Sequence, residues 1–169
     1  KDLQTCCCRT SRLRLREFRL DDCHNLAAIL ANEEVMRFSL GGPYTMAQTH
    51  AFIDANAALY QKLGFGMWAL ETKAGGTLIG FCGLSPTELD GREEIEIGYR
   101  LTPKAWGLGL ATEAADAALK YGIKRNCIES IVALVATDHL ASAKVARKVG
   151  MRHDGQSRFH GWEIDIYRR

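Results

Sequence analysis

Two glycines carry the chemistry that is easiest to read in this chain. Gly107 and Gly109 lie in the stretch Trp106-Gly-Leu-Gly-Leu-Ala-Thr112, between a strand-like segment (Glu94-Ile-Glu-Ile-Gly-Tyr-Arg-Leu101) and an alanine-rich helical pattern. Glycines at a strand-to-helix turn let backbone amides approach a ligand closely, because no Cβ stands in the way. The helix start adds N–H groups without internal partners and the positive end of a dipole. Such a turn fits a diphosphate, so the chain is expected to bind a phosphorylated cofactor.

The elements that would hold this turn follow from periodicity. Leu13, Leu15 and Phe18 approximate strand alternation. Asp21 or Asp22 is placed to cap a helix to about Asn32, with Leu26, Ile29 and Leu30 on one side. Gly41-Gly42-Pro43 breaks the chain. Thr45 then caps a second helix with Ile53, Asn56, Tyr60 and Leu63 at helical spacing, and Gly64 closes it. Strands over Gly66–Thr72, Thr77–Leu84 and Glu93–Leu101 follow, separated by the turn signals Ala74-Gly75-Gly76 and Asp90-Gly91. Consecutive strands joined this way form an antiparallel meander. A helix over Leu110–Lys124 sets Ala111, Ala114, Ala115, Ala118, Leu119 and Gly122 along one stripe, small enough to lie close against a sheet. A strand over Ser130–Val135, a helix over Ala141–Lys148 stopped by Gly150, and strands near Met151–Phe159 and Trp162–Tyr167 complete the order βααβββαβαββ. This is an α+β architecture, with a mixed, mostly antiparallel central sheet flanked by helices. It also excludes two phosphate-binding folds. A dinucleotide fold needs Gly-x-Gly-x-x-Gly after the first strand of a parallel unit, whereas here Thr112 takes the last place after a meander. No Gly-x-x-x-x-Gly-Lys-Ser/Thr is present.

At 169 residues, one domain over 12–169 is expected, preceded by a loose segment over 1–11. A formal charge of +2 is too mild to imply nucleic acid. Arg9, Arg12, Arg14, Arg16 and Arg19 alternate with apolar residues and are offset by Glu17, Asp21 and Asp22, so they read as a solvated strand face. No apolar run approaches the roughly 18 residues that span a bilayer, and nothing reads as a signal peptide, so no membrane partner and a cytoplasmic setting are expected. The cysteines (Cys6, Cys7, Cys8, Cys23, Cys82, Cys127) contain no Cys-x-x-Cys pair. Neighbours in the Cys6–Cys8 triplet would point to opposite faces of an extended segment, so reduced structural thiols are expected and no metal site.

Three segments, Glu96-Ile-Gly-Tyr99, Trp106-Gly-Leu-Gly-Leu-Ala-Thr-Glu-Ala114 and Asp138-His-Leu-Ala-Ser-Ala-Lys-Val-Ala-Arg-Lys-Val-Gly-Met151, resemble in order and spacing the GNAT superfamily of N-acetyltransferases. Within it they resemble the ribosomal-protein alanine acetyltransferase branch, from about Leu13 to the last residue. The resemblance implies that the Glu96 strand and the parallel Ser130–Val135 strand splay apart. The pantetheine arm of acetyl-CoA would enter the gap and pair with the exposed strand edge. It places cofactor contacts on Tyr99, Leu101, Trp106, Gly107, Leu108, Gly109, Leu110, Ala111, Thr112, His139 and Ser142. Two positions depart from the family pattern. Trp106 stands first in the phosphate loop, where Gln or Arg is usual, so a cationic contact is lost and Trp106 either packs over the helix start or touches the ligand. His139 stands where Asn is usual, which makes a proton state there depend on pH. Lys144, Arg147 and Lys148 read as a solvated helix face or as contacts to the adenosine phosphate.

The implied reaction sets the remaining roles. An amine must be neutral to attack a thioester, yet an α-amine near pKa ~8 or a lysine near ~10 is mostly protonated. A general base therefore helps, and Glu96 is the leading candidate, next to Gly98 where a bulge could re-aim side chains. On a two-residue period Glu94, Glu96 and Arg100 share one face, and Glu94 is the fallback base. Ser142 would donate a proton to the leaving thiolate, since no Tyr late in the chain sits where relatives place that acid. Cys82 and Cys127 fall outside the motifs, so direct transfer through a tetrahedral intermediate is expected, without an acyl-enzyme. The acceptor is a primary amine, on a protein N-terminus or a small molecule, held by the first two helices (about 21–63). The alternative is a non-catalytic acyl-CoA-binding module, which would need no base. A homodimer is compatible with the sequence, which leaves oligomeric state open.

Overall fold

Local turn chemistry sets most element boundaries in the computed structural model, which describes residues 6–169. The elements are β1 (Cys6–Arg9), β2 (Leu13–Arg16), α1 (Cys23–Leu30), α2 (Met46–Leu63), β3 (Met67–Thr72), β4 (Leu78–Leu89), β5 (Arg92–Leu101), α3 (Leu110–Arg125), β6 (Val132–Ala136), α4 (Leu140–Lys148), β7 (Arg152–Phe159) and β8 (Trp162–Arg168). Thr45 caps α2 through a reciprocal pair, its Oγ1 accepting from the Gln48 amide and Gln48 Oε1 accepting from the Thr45 amide. Gly64 ends α2 at φ 76°, a left-handed cap that favours glycine.

The strands form one sheet in the order β1-β2-β3-β4-β5-β6-β8-β7. Every neighbouring pair is antiparallel except β5 and β6. Alternation sends side chains to two layers. Leu13, Leu15, Trp68, Leu70, Cys82 and Leu84 pack with Ala114, Ala115, Ala118 and Leu119 of α3. Ala69 and Phe81 face the other way, against Leu26, Leu30 and Ile53 of α1 and α2. The small stripe of α3 has the predicted consequence, since a Cβ on Gly122 would lie 2.6 Å from Leu84 Cδ1. No helix among the described residues is long and apolar enough to cross a membrane.

Three expectations are corrected. The loose segment 1–11 contains β1, which pairs with β2 through a bulge between Cys6 and Cys8; residues 1–5 of that segment lie outside the described residues. Cys7 and Cys8 both pack against the main core, and burial of apolar thiols holds this strand down. Asp22 makes no side-chain cap for α1. Its carboxylate instead accepts from both Nη atoms of Arg16 at 2.7 and 2.8 Å and from the Arg19 amide at 2.8 Å. The basic stretch is correspondingly less solvated than its pattern implies: Arg16 is buried between Asp22 and Glu71, and Arg14 pairs with Glu71.

Candidate active site

β5 pairs with β4 along its whole length, from Leu101 opposite Gly80 to Arg92 opposite Leu89. On the other edge β5 meets β6 at one position only, Glu96 opposite Val132. Beyond that bridge the strands part, leaving an edge of β5 with no ladder partner. A cavity of about 290 Å³ opens there, lined by Glu96, Gly98, Tyr99 and Arg100 of β5, by residues 133–136 of β6, and by Ser142 of α4. The β4–β5 register runs unbroken past Gly98, so the predicted bulge is absent. Glu96 reaches the cavity by ordinary alternation. A Cβ at 98 would meet only the flexible end of Met67, its Cε at 2.8 Å.

Burial pushes the Glu96 carboxyl up from 4.5 to about 7, against the pull of Arg100. The carboxylate therefore titrates near neutrality, where a general base works best. Glu94 is spent elsewhere: its two oxygens accept from both Nη atoms of Arg168 at 2.9 and 3.0 Å. On the opposite side of the opening, the Tyr99 hydroxyl donates to the Ser142 carbonyl at 3.0 Å and lies 2.9 Å from Ser142 Oγ. Burial raises the Tyr99 phenol to about 12, so it stays protonated. Tyr167, the late tyrosine, is fully buried with its hydroxyl accepting from Arg147. Cys82 is buried with its thiol pushed up by burial, Cys127 is exposed, and neither lines the cavity.

The glycine turn stands beyond the end of β5. Gly107 and Gly109 have φ of 72° and 76°, a region costly to residues with a Cβ. Gly109 is the N-cap of α3, no side chain caps the helix, and the first backbone bond at this end runs from the Glu113 amide to the Gly109 carbonyl at 3.1 Å. The helix N-terminus is therefore open at its amides. Arg12 braces the turn from β2's side, donating to the Leu108 carbonyl at 2.8 Å and to the Glu113 carboxylate at 2.7 Å. Trp106 donates from Nε1 to the Leu101 carbonyl at 2.8 Å while its ring stays 46% exposed. One end of the indole is thus a packing tie and its face remains available. Leu108 is exposed, Ala111 and Thr112 are half-buried, and Leu110 and Leu101 belong to the core.

The structure thus gathers Glu96, Tyr99 and Ser142 at one cavity, while Trp106–Thr112 lie at the α3 start outside its lining. His139 also lies outside it. Its ring stacks on Phe38 at 4.0 Å and 13° between planes. Burial, with Arg100 and Arg37 nearby, pushes it down to about 4, so the ring is neutral near pH 7 and the expected pH dependence at that position disappears. Sequence reasoning left out Arg100 and the aromatic wall of Phe38, Tyr44, Phe52, Phe159 and Trp162. The one available signal was that Arg100 shares the strand face of Glu96.

Comparisons with known proteins agree with this fold. A model of the acetyltransferase (GNAT) domain matches residues 12–152. The chain is 32% identical over 147 residues to the uncharacterised N-acetyltransferase YoaA of Bacillus subtilis, covering 86% of this chain and 82% of that one. It is 31% identical over 160 residues to YkkB of the same organism, covering 95% and 93%. Among solved structures it resembles a GNAT-family acetyltransferase from Bacillus anthracis, with a TM-score of 0.77 at 26% identity over 95% and 94% of the two chains. It also resembles RimL, a ribosomal α-N-protein acetyltransferase solved with coenzyme A, with a TM-score of 0.79 at 22% identity over 95% and 94%. The chain belongs to the GNAT family of acetyltransferases.

Proposed function

We propose that the protein transfers an acetyl group from acetyl-CoA to a primary amine, with Glu96 as general base and the Tyr99–Ser142 hydroxyl pair on the leaving-group side. The observation that carries this reading is the parting of β5 and β6 after a single bridge, with Glu96 and the Tyr99–Ser142 pair facing the same opening. The residues fit the cosubstrate. Two left-handed glycines and an uncapped helix start offer amides to a diphosphate, and the open β5 edge offers backbone groups to an extended amide-containing arm. Acetyl-CoA would bring an activated thioester to the opening. Glu96, titrating near 7, takes the proton that the amine must shed, directly or through one water. Ser142 gives its hydroxyl proton to the departing sulfur and recovers one from solvent at the opening, while the Tyr99 hydroxyl, which burial keeps protonated, holds the serine in place.

A non-catalytic acyl-CoA-binding module would have no use for a carboxyl lifted toward neutrality beside the opening. The acceptor is a primary amine, on a protein N-terminus or a small molecule. The six cysteines form no disulfide among the described residues, which fits a reducing, cytoplasmic setting. Titration calorimetry with acetyl-CoA and CoA tests the first half of this reading, and thiol release with a panel of free amines and peptides tests the second. The expected result is binding of both nucleotides and amine-dependent release. Folded protein with no affinity for either nucleotide overturns the proposal.

A further inference from the structure

Arg100 plays no part in the transfer just described, yet it is firmly held at the cavity. Its Nε donates to Ser39 Oγ at 2.9 Å, Nη1 to the Tyr99 carbonyl at 3.0 Å and Nη2 to the Phe38 carbonyl at 3.4 Å. All three partners are neutral. No carboxylate lies within ion-pair distance of Arg100 among the described residues, whereas Arg12 holds one and Arg16 and Arg168 hold two each. A guanidinium has five N–H donors, so one on each Nη remains uncommitted. Burial acts against its charge, and Glu96, the nearest acid on its own strand, only partly offsets this. Such a group gains most from an anion that arrives with a ligand, because a planar carboxylate matches its fork and neutralises it in a poorly solvated site.

The rest of the wall is of opposite character. Phe38 and Tyr44 come from the segment between α1 and α2, Phe52 from α2, Phe81 from β4, Phe159 from the end of β7 and Trp162 from the start of β8. They hold one another at ring distances of 5.0 Å for Phe52 and Phe81 and 6.1 Å for Phe38 and Trp162. Phe38 joins the two features, since its carbonyl accepts from Arg100 and its ring forms part of the wall. An acceptor body in this space meets aromatic faces on several sides, one base and one arginine.

We infer that the acceptor is an amine carrying a carboxylate on an apolar, aromatic-sized body, with Arg100 binding the carboxylate while the amine faces Glu96. This rests on the N-acetyltransferase reading and narrows it to a substrate class. Glu96 and Arg100 are four residues apart on one strand, about 13 Å between Cα atoms, and both line the cavity. A free aromatic amino acid carries its carboxylate on the amine-bearing carbon and a dipeptide carries it three backbone bonds further on, and the test separates them.

Thiol release is measured with wild-type protein on phenylalanine and tryptophan, on their amides, on phenethylamine and tryptamine, on Phe-Ala and Phe-Ala-amide, and on spermidine. The carboxylate-bearing member of one matched set should exceed its uncharged counterpart by about 10- to 100-fold in kcat/KM, as for a hydrogen bond to a charged group. Which set shows the preference identifies a free amino acid or a peptide end. Arg100→Gln should collapse that ratio toward one, chiefly through KM, and Arg100→Lys should retain part of it, since a point charge lacks the fork. Wild-type protein that acetylates the amides, the decarboxylated amines or spermidine as well as the acids overturns the inference and leaves acetyl transfer standing. Release with no amine in the panel also overturns it, and if acetyl-CoA fails to bind as well, the N-acetyltransferase reading falls with it.

Discussion

Replacing Glu96 with Gln should make the protein more stable and less active, and both effects come from one burial. The Glu96 carboxyl is raised from 4.5 to about 7 in the folded protein. The folded state therefore holds this proton more tightly than the unfolded state does, and wild-type stability falls as pH rises from about 4.5 through 7. At ~1.36 kcal/mol per pH unit, the deficit approaches about 3 kcal/mol at pH 8. Gln has nearly the shape of the protonated acid and does not ionise. Glu96→Gln should thus match wild type at pH 4.5 and exceed it by about 2–3 kcal/mol at pH 8, roughly 4–12 °C in Tm for a domain of this size. Over the same range wild-type kcat/KM should climb through about 7 as the base loses its proton, and the variant should be about 100- to 10,000-fold slower. Thermal unfolding at the two pH values and thiol release across the range give both readings. A Tm difference that does not change with pH would show that the carboxylate is solvated, and turnover equal to wild type at every pH would remove Glu96 from the chemistry.

Three further substitutions separate binding, scaffold and folding. Gly109→Ala meets no obstructing atom, the nearest being Arg12 Nη2 at 3.5 Å, so its cost is the left-handed backbone, about 1–2 kcal/mol in thermal unfolding; acetyl-CoA affinity by calorimetry should weaken as the turn relaxes. Glu94→Gln loosens the bidentate contact with Arg168 and should cost about 1 kcal/mol while kcat stays close to wild type; lost turnover with unchanged stability would return Glu94 to the mechanism. Asp22→Asn leaves Arg16 buried with half its counter-charge and should cost about 3 kcal/mol by urea unfolding at pH 7. The Asp22 carboxyl is held below its ordinary 3.8 by Arg16 and the Arg19 amide against the opposing effect of burial, so this stabilisation is present above pH 4 and is lost on acidification. The gap between variant and wild type should therefore close as pH falls toward 2.

Features set by a residue's own backbone were legible in the sequence, and features set by distant partners were not. Gly107 and Gly109 were readable because a left-handed turn before a helix is a local demand, and the α2 cap was readable because Thr45 and Gln48 satisfy each other within one turn. β1 was missed because three consecutive cysteines show no alternation, and its pairing depends on a bulge and on core contacts with residues far along the chain. The parting of β5 and β6 has no sequence signal of its own; it is a register property, a single bridge from Glu96 to Val132. The aromatic wall comes from segments spread between Phe38 and Trp162, so no spacing announces it.

The choice between Glu94 and Glu96 shows the limit most clearly. The two stand on the same strand, on the same face and one alternation apart, so periodicity treats them alike. They differ in what approaches them from elsewhere. Arg168, 74 residues away in sequence, reaches across to Glu94 and fixes it as half of an ion pair. Glu96 has no such partner among the described residues, and the nearest cation on its strand, Arg100, is turned toward Ser39, Phe38 and the Tyr99 carbonyl. Without that neutralisation, desolvation prevails and the carboxyl rises toward 7. On the proposed mechanism, the base is selected by the lack of a counter-ion at one glutamate among the described residues and its presence at the other. An arginine placed near Glu96 should then lower its pKa and shift the rise in activity to lower pH.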